Sequence, residues 1–205
     1  MNWENEVYLI TDESTDIDVL LSTVEAAIKG GVTIVQLREK HSGGRDFYEK
    51  AKRLKTLLDQ YEIPLIINDR VDIALAVGAS GVHVGQEDLP LTMVKKIVPD
   101  SMIVGISAAT VELAQEAERN GADYIGVGSI FPTGTKKDAT VLEEGMLRAI
   151  MEVVTIPVIA IGGIQKDNVA TLNNQGIAGI AVISEIMSAD HPVKAARALK
   201  EAFLS

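Results

Sequence analysis

From end to end the chain alternates between short β-branched runs and longer segments of helical periodicity. Strand-type runs fall at 7–11, 33–37, 64–68, 81–84, 102–106, 123–130, 157–161 and 179–183. Segments with apolar residues at helical spacing follow them at 16–29, 45–61, 71–77, 91–97, 111–120, 142–154, 166–174 and 192–204,. The run 124–130 is apolar on both faces, which requires cover on both faces and favours a parallel sheet flanked by helices,. Eight strand–helix units in 205 residues, with no Pro/Gly/Ser-rich linker between them, predict one α/β domain over 1–205,. Its sheet should close on itself as a parallel (β/α)8 TIM barrel. Gly30-Gly31, Gly78, Gly121 and Gly176 stand where a helix ends and a strand opens, the position that favours glycine after a helix,. An open doubly wound sheet is the alternative, but no Gly-x-Gly-x-x-Gly turn follows the first strand,.

Charge and cysteine content narrow the functions such a barrel can serve. A net charge of −10 lacks the basic stripe a nucleic-acid binder uses to displace counterions, so any anionic ligand must meet a local cationic pocket,. The absence of cysteine removes disulfides, thiolate nucleophiles and zinc–thiolate sites, in keeping with a reducing cytoplasmic setting,. Residues 1–7 carry Glu4 and Glu6 and lack a basic segment followed by an apolar one, so no signal peptide is expected,. No apolar run approaches the roughly 20 residues of a membrane span,.

In a (β/α)8 barrel, function collects at the carboxyl ends of the strands. After the second strand comes Gln36-Leu37-Arg38-Glu39-Lys40, where period-two alternation sends Gln36, Arg38 and Lys40 to one side and Glu39 to the other,. Two cations and an amide on one side suit a polyanion, whereas a solvated strand exit paired with its helices is the plainer explanation. The third strand ends in Asn68-Asp69, and the fourth leads through Gly85-Gln86-Glu87 to Asp88. Carboxylates on adjacent strand ends can flank a hard cation such as Mg²⁺, which keeps waters and takes one or two carboxylates plus phosphate oxygens. Asp69 also fits as the cap of the helix beginning at Val71, and taken singly that is the better reading,. His83 lies within the fourth strand and reads as a packed, hydrogen-bonded core residue, outside the catalytic set. Ser107 and Thr110 fit equally well as caps of the helix near Val111,.

The sixth strand runs into the longest polar approach, with Thr133, Gly134, Thr135, Lys136, Lys137 and Asp138 following Phe131-Pro132. Hydroxyls, backbone amides and ammonium groups there form a donor-rich surface suited to phosphate. The seventh strand ends Ile161-Gly162-Gly163 and the eighth Val182-Ile183-Ser184. Glycines at the seventh exit leave backbone N–H groups open to an anion, and the loops after strands seven and eight often form a barrel's phosphate site.

Taken in order, Gln36 to Lys40, Asn68-Asp69, Gly85 to Asp88, Ser107, Thr133 to Asp138, Ile161 to Gly163 and Ile183-Ser184 resemble the thiamine-phosphate synthase family over nearly the whole chain. The resemblance implies a barrel that joins a hydroxymethylpyrimidine diphosphate to a (carboxy)thiazole phosphate and releases pyrophosphate with Mg²⁺. It assigns Gln36, Leu37, Arg38, Glu39, Lys40, Asn68, Ser107 and Lys136 to the pyrimidine diphosphate. Thr133, Gly134, Thr135, Gly163, Ile183 and Ser184 go to the thiazole phosphate, and Asp69 and Asp88 to the metal. Lys40, Lys136 and Arg38 are the implied catalytic cations, stabilising charge on the leaving pyrophosphate. The implied partners are small molecules only, and a homo-oligomer is compatible with the family. Three phrases depart from its pattern. Ser107-Ala108-Ala109-Thr110 has Ala109 in place of the usual histidine, Gly128-Ser129-Ile130-Phe131 replaces Gly-Pro-Ile-Phe, and 139–146 lacks Pro-x-Gly-Leu.

Three rival readings remain at this level. A thiazole tautomerase of the same barrel would need the thiazole site but neither the pyrimidine diphosphate site nor Mg²⁺, so Asn68-Asp69 and Gln86 to Asp88 would be superfluous in it. A non-catalytic barrel sensing a phosphorylated ligand has little use for paired carboxylates beside a leaving-group lysine. Another phosphate-handling isomerase or aldolase would commonly carry its lysine or glutamate within a strand end, whereas the lysines here lie in loops.

Overall fold

A computed structural model describes residues 3–134 and 140–205. Eight parallel strands close in sequence order, β1 pairing with both β2 and β8. They are β1 Glu6–Ile10, β2 Ile34–Leu37, β3 Leu65–Asn68, β4 Gly81–Val84, β5 Ile103–Ser107, β6 Tyr124–Val127, β7 Val158–Ile161 and β8 Gly179–Val182. Around them lie α1 Ile17–Lys29, α2 Gly44–Asp59, α3 Val71–Val77, α4 Leu91–Ile97, α5 Val111–Arg119, α6 Met146–Met151, α7 Ser184–Met187 and α8 Pro192–Leu204. The expected (β/α)8 barrel is the fold. Among the described residues, no helix is long and apolar enough to cross a membrane.

Period-two alternation sorts the strand residues into two apolar layers. Val7, Leu9, Val35, Leu37, Ile67, Val82, Val84 and Val104 face outward into the main core beneath the helices,. Tyr8, Ile10, Ile34, Ile66, Tyr124, Ile159 and Ala181 face inward and fill the barrel,. The helices supply matching apolar stripes, Leu20, Val24 and Ala27 on α1 and Phe47, Ala51, Leu54 and Leu58 on α2,. Local signals set their ends. Asp16 accepts from the Asp18 N–H at 2.9 Å to start α1, and Gly78 closes α3 in the left-handed conformation, φ 62°,.

Three elements differ from the periodicity. β6 stops at Val127 instead of 130, because Gly128 runs against the β7 backbone, where a Cβ would lie 2.0 Å from the Ile161 carbonyl oxygen. The chain continues beside the β7 exit instead, with the Ile130 N–H donating to Ile161 O and the Phe131 N–H to Gly162 O, both 2.9 Å. The helix expected over 142–154 is limited to α6, since Gly145 in a left-handed conformation, φ 82°, interrupts it. The segment 166–174 forms only a 3₁₀ turn, Val169–Leu172. Asn168 spends its side chain on Gly163 O and the Gln165 N–H, and Asn174 turns the chain with φ 62°. One element was not anticipated, the short α7 that begins at Ser184 directly after β8.

Interior space is tight where Tyr124 crosses the barrel. Gly105 on β5 faces its ring, and a Cβ there would stand 2.2 Å from two ring carbons. Trp3, the chain's one tryptophan, packs on the same ring with centroids 4.8 Å apart. Gly105→Ala should therefore lower stability by about 1–3 kcal/mol through overpacking, read as a lower urea midpoint with an altered Trp3 emission; an unchanged midpoint would contradict this packing account.

Candidate functional site

Two cavities open side by side at the carboxyl ends of the strands. The larger is lined by Gln36, Arg38 and Lys40 from the β2 exit, Asn68 and Asp69 from β3, and His83, Gly85 and Asp88 from β4 and its loop, with Ser107 opposite. Tyr8, Tyr124 and Ile159 form its floor. Alternation along β2 explains which side chains arrive. Leu37 is fully buried beneath the helices, and the Glu39 carboxylate accepts from Lys50 Nζ at 2.7 Å and Ser42 Oγ at 2.5 Å. The side chains of Leu37 and Glu39 thus face away from the cavity, and three of the five in this segment reach it. Asn68 is buried, and its Nδ2 has no acceptor among the described residues. A buried donor in that state favours a ligand that accepts a hydrogen bond.

Asp69 is not a helix cap. Among the described residues no side-chain hydrogen bond caps α3, while Asp69 adopts a left-handed backbone, φ 61°, and its N–H donates to His83 O at 2.7 Å,. That turn aims its carboxylate into the cavity, where it pairs with Lys40 Nζ. Burial pushes the Asp69 carboxyl up; Lys40 opposes this, and the neighbouring Asp88 carboxylate adds to it,. Asp88 is fixed by the tight turn after β4, one oxygen accepting from the Gly85 N–H at 2.8 Å. Two carboxylates and an ammonium therefore meet at one cavity edge, an arrangement able to hold a divalent cation beside a polyanion.

The floor carries a feature that strand-end reasoning passed over. His83 Nδ1 lies 2.9 Å from Tyr124 Oη and Nε2 lies 3.0 Å from Ser107 Oγ. Burial, aided by the Lys40 charge and opposed by Asp88, pulls the imidazole down to about 4, so it is neutral at pH 7,. The signal was present in β4, where Val82 and Val84 face the helices and Gly81 and His83 must therefore face inward,. Ser107 stands in the mouth, and Thr110 is the cap of α5, accepting from the Leu113 N–H at 3.3 Å.

The smaller cavity is lined by Thr133, Gly134, Gly162, Gly163, Ile183 and Ser184, and it shares Ile161 and Ala181 with the larger one. Gly163 has φ 64°, and a Cβ on it would meet Pro132 O at 2.4 Å, so glycine is required where the loop after β6 crosses the β7 exit,. Asn168 Nδ2 holds that turn by donating to Gly163 O at 2.8 Å. Thr135 and Lys136 lie outside the described residues.

Glu13, on the loop after β1, was absent from the sequence reading yet braces the β2 exit. Its carboxylate accepts from the His41 N–H at 2.6 Å and stands 2.9 Å from His41 Nδ1. Against the upward push of burial, hydrogen bonds from the His41 ring and from the His41 and Lys40 N–H groups hold this carboxyl at about 2. The Asp12 side chain accepts from the Ser14 N–H at 3.1 Å and stiffens the turn that presents Glu13. No short motif announces such a brace, because its partners are 28 residues apart.

Known proteins share both the sequence and this architecture. The family model described as thiamine monophosphate synthase matches residues 7–186. A thiamine-phosphate synthase of Ruminiclostridium cellulolyticum is 52% identical over 200 residues, covering 97% of this chain and 95% of its own. One from Clostridium botulinum is 49% identical over 198 residues, covering 96% and 93%. The solved thiamine phosphate pyrophosphorylase from Pyrococcus furiosus superposes with a TM-score of 0.88 at 43% identity, covering 98% of this chain and 96% of that one. With a family model matching residues 7–186 and about half of its residues identical to such relatives along nearly their whole length, the chain belongs to the thiamine monophosphate synthase family.

Proposed function

We propose that this protein is a transferase that couples 4-amino-2-methyl-5-hydroxymethylpyrimidine diphosphate to (carboxy)thiazole phosphate, giving thiamine phosphate and pyrophosphate. The observation that carries the reading is the pair of cavities meeting at Ile161 and Ala181. A bisubstrate reaction needs two pockets whose contents touch, and family membership supplies the two substrates. The larger pocket takes the pyrimidine diphosphate, with the ring over the Tyr124 and His83 floor and the diphosphate toward Arg38, Lys40 and Asn68. The smaller takes the thiazole phosphate at Thr133, Gly134, Gly163, Ile183 and Ser184, and the family resemblance adds Thr135.

In this reading the C–O bond to pyrophosphate breaks first, and the leaving group carries off the electron pair. The pyrimidine methylene cation that remains is captured by the thiazole nitrogen, forming the C–N bond. Lys40, Arg38 and Lys136 offset negative charge building on the departing oxygen, and no protein nucleophile is required. Asp69 and Asp88 fit Mg²⁺, because both are hard oxygen donors at one cavity edge and burial beside a second carboxylate makes the Asp69 charge costly without a cation. Mg²⁺ held there would neutralise diphosphate charge. Holding both reactants against one wall supplies much of the remaining rate enhancement. The acid pair favours this reading over a tautomerase or a sensing barrel, in which it would have no task. A cytoplasmic setting and a homo-oligomer go with this reading.

The test is a product assay with both substrates, with and without Mg²⁺, following thiamine phosphate and the thiazole isomers together. Mg²⁺-dependent thiamine phosphate is expected, whereas isomerisation without coupling would refute the synthase reading. Lys40→Ala should lower kcat about 10²-fold, the scale of losing one charge-stabilising donor, with the KM for thiazole phosphate unchanged. An equal loss in both parameters would remove Lys40 from the leaving-group role.

A further inference from the structure

An unbroken chain of hydrogen bonds runs across the barrel floor through five side chains from five strands. Gln36 Nε2 donates to Tyr8 Oη at 2.8 Å, and Tyr8 Oη lies 3.0 Å from Tyr124 Oη. Tyr124 Oη lies 2.9 Å from His83 Nδ1, whose ring reaches Ser107 Oγ through Nε2 at 3.0 Å. Each member has few protons to place, which limits the chain to a few arrangements. Nε2 of Gln36 can only donate, so Tyr8 accepts from it, and the arrangement that keeps every proton inside the chain has Tyr8 donating to Tyr124,. In that arrangement Tyr124, accepting from Tyr8, sends its proton to His83 Nδ1, which is then the bare ring nitrogen. A neutral imidazole carries one N–H, which falls on Nε2 and points at Ser107 Oγ. Ser107 therefore accepts within the protein and keeps its hydroxyl proton for the cavity.

We propose that this chain fixes Ser107 as a hydrogen-bond donor into the larger cavity, with Tyr8, Tyr124 and His83 as positioning residues that set its polarity from Gln36. The proposed proton arrangement involves only the protein's own side chains. The partner it selects rests on the function proposed above: on an aminopyrimidine, a donor at Ser107 seeks a ring nitrogen and disfavours the exocyclic amine. The chain makes selectivity for the acceptor edge of the ring a property of the barrel floor. The phenols suit the task because their burial pushes both hydroxyls well up from the ordinary tyrosine value, so neither surrenders its proton,. Neighbouring bonds of this kind polarise one another, which strengthens the terminal donor.

The ring-nitrogen tautomer of His83 reads the polarity directly. In protein labelled with ¹⁵N-histidine, long-range ¹H–¹⁵N correlation spectra should show His83 as the Nε2–H form. Its signals are told from those of the other two histidines by their loss in His83→Gln. Tyr8→Phe cuts the chain next to Gln36. It should populate both His83 tautomers and raise the KM for the pyrimidine diphosphate about tenfold, the scale of one misaligned hydrogen bond, while the KM for thiazole phosphate stays put. A wild-type Nδ1–H form would overturn the proposal by showing the chain reversed. So would a Tyr8→Phe protein with a pure Nε2–H ring and an unchanged pyrimidine KM. Absence of synthase activity would remove the pyrimidine from the argument but leave the tautomer as found, which separates the two failures.

Discussion

Closure of the parallel sheet is the constraint on which the rest of this molecule depends. Once eight strands pair in a ring, every alternate residue is committed either to the barrel interior or to the layer beneath the helices,. Polar side chains in these strands stand at the strand ends or within a satisfied interior network. Both solutions occur here. Gln36, Asn68 and Ser107 stand at strand ends, while Tyr8, Tyr124 and His83 satisfy one another inside. Site and fold thus follow from one rule of alternation.

Electrostatics then divides the labour within an acidic protein. A net charge of −10 repels anionic substrates at long range, so local groups must overcome it,. Lys40 and Arg38 leave β2 on the same face, and Lys40 is held twice over, its backbone braced by Glu13 and its ammonium paired with Asp69. The pairing keeps the lysine extended across the cavity mouth, and the adjacent Asp88 makes the same spot suited to a cation. In the proposed reading, cations and carboxylates placed together let one cavity edge take both a metal and a diphosphate.

Much of this was legible in the amino-acid order, and what was not has identifiable causes. The strands announced themselves because each is a short β-branched run, and the inward course of Gln36, Arg38 and Lys40 followed from period two. Asp69 was ambiguous in sequence, since Asn-Asp-Arg before a helix serves equally as a cap; only its left-handed backbone, held by the bond to His83 O, turns it into the cavity. The same alternation that placed Gln36 would have placed His83, had it been applied inside the strand as well as at its end. Leu37 and Glu39, carried along with their segment by family resemblance, have their side chains on the far face. The brace by Glu13 depends on two loops meeting in space, and no local pattern encodes it. Helix lengths after β6 and β7 were overestimated because Gly145, Asn168 and Asn174 act through backbone conformation and side-chain capture, which override apolar periodicity.

The central claim is that two substrates lie in abutting pockets that share Ile161 and Ala181 in their lining. A crystal structure of the protein with thiamine phosphate and pyrophosphate tests it most directly. The account predicts the pyrimidine over Tyr124 and His83, the phosphate ester at Gly163 and Ser184, and pyrophosphate beside Lys40 and Asp69. Product bound with its phosphate ester among Arg38, Lys40 and Asp88, or lying outside the strand ends altogether, would contradict it.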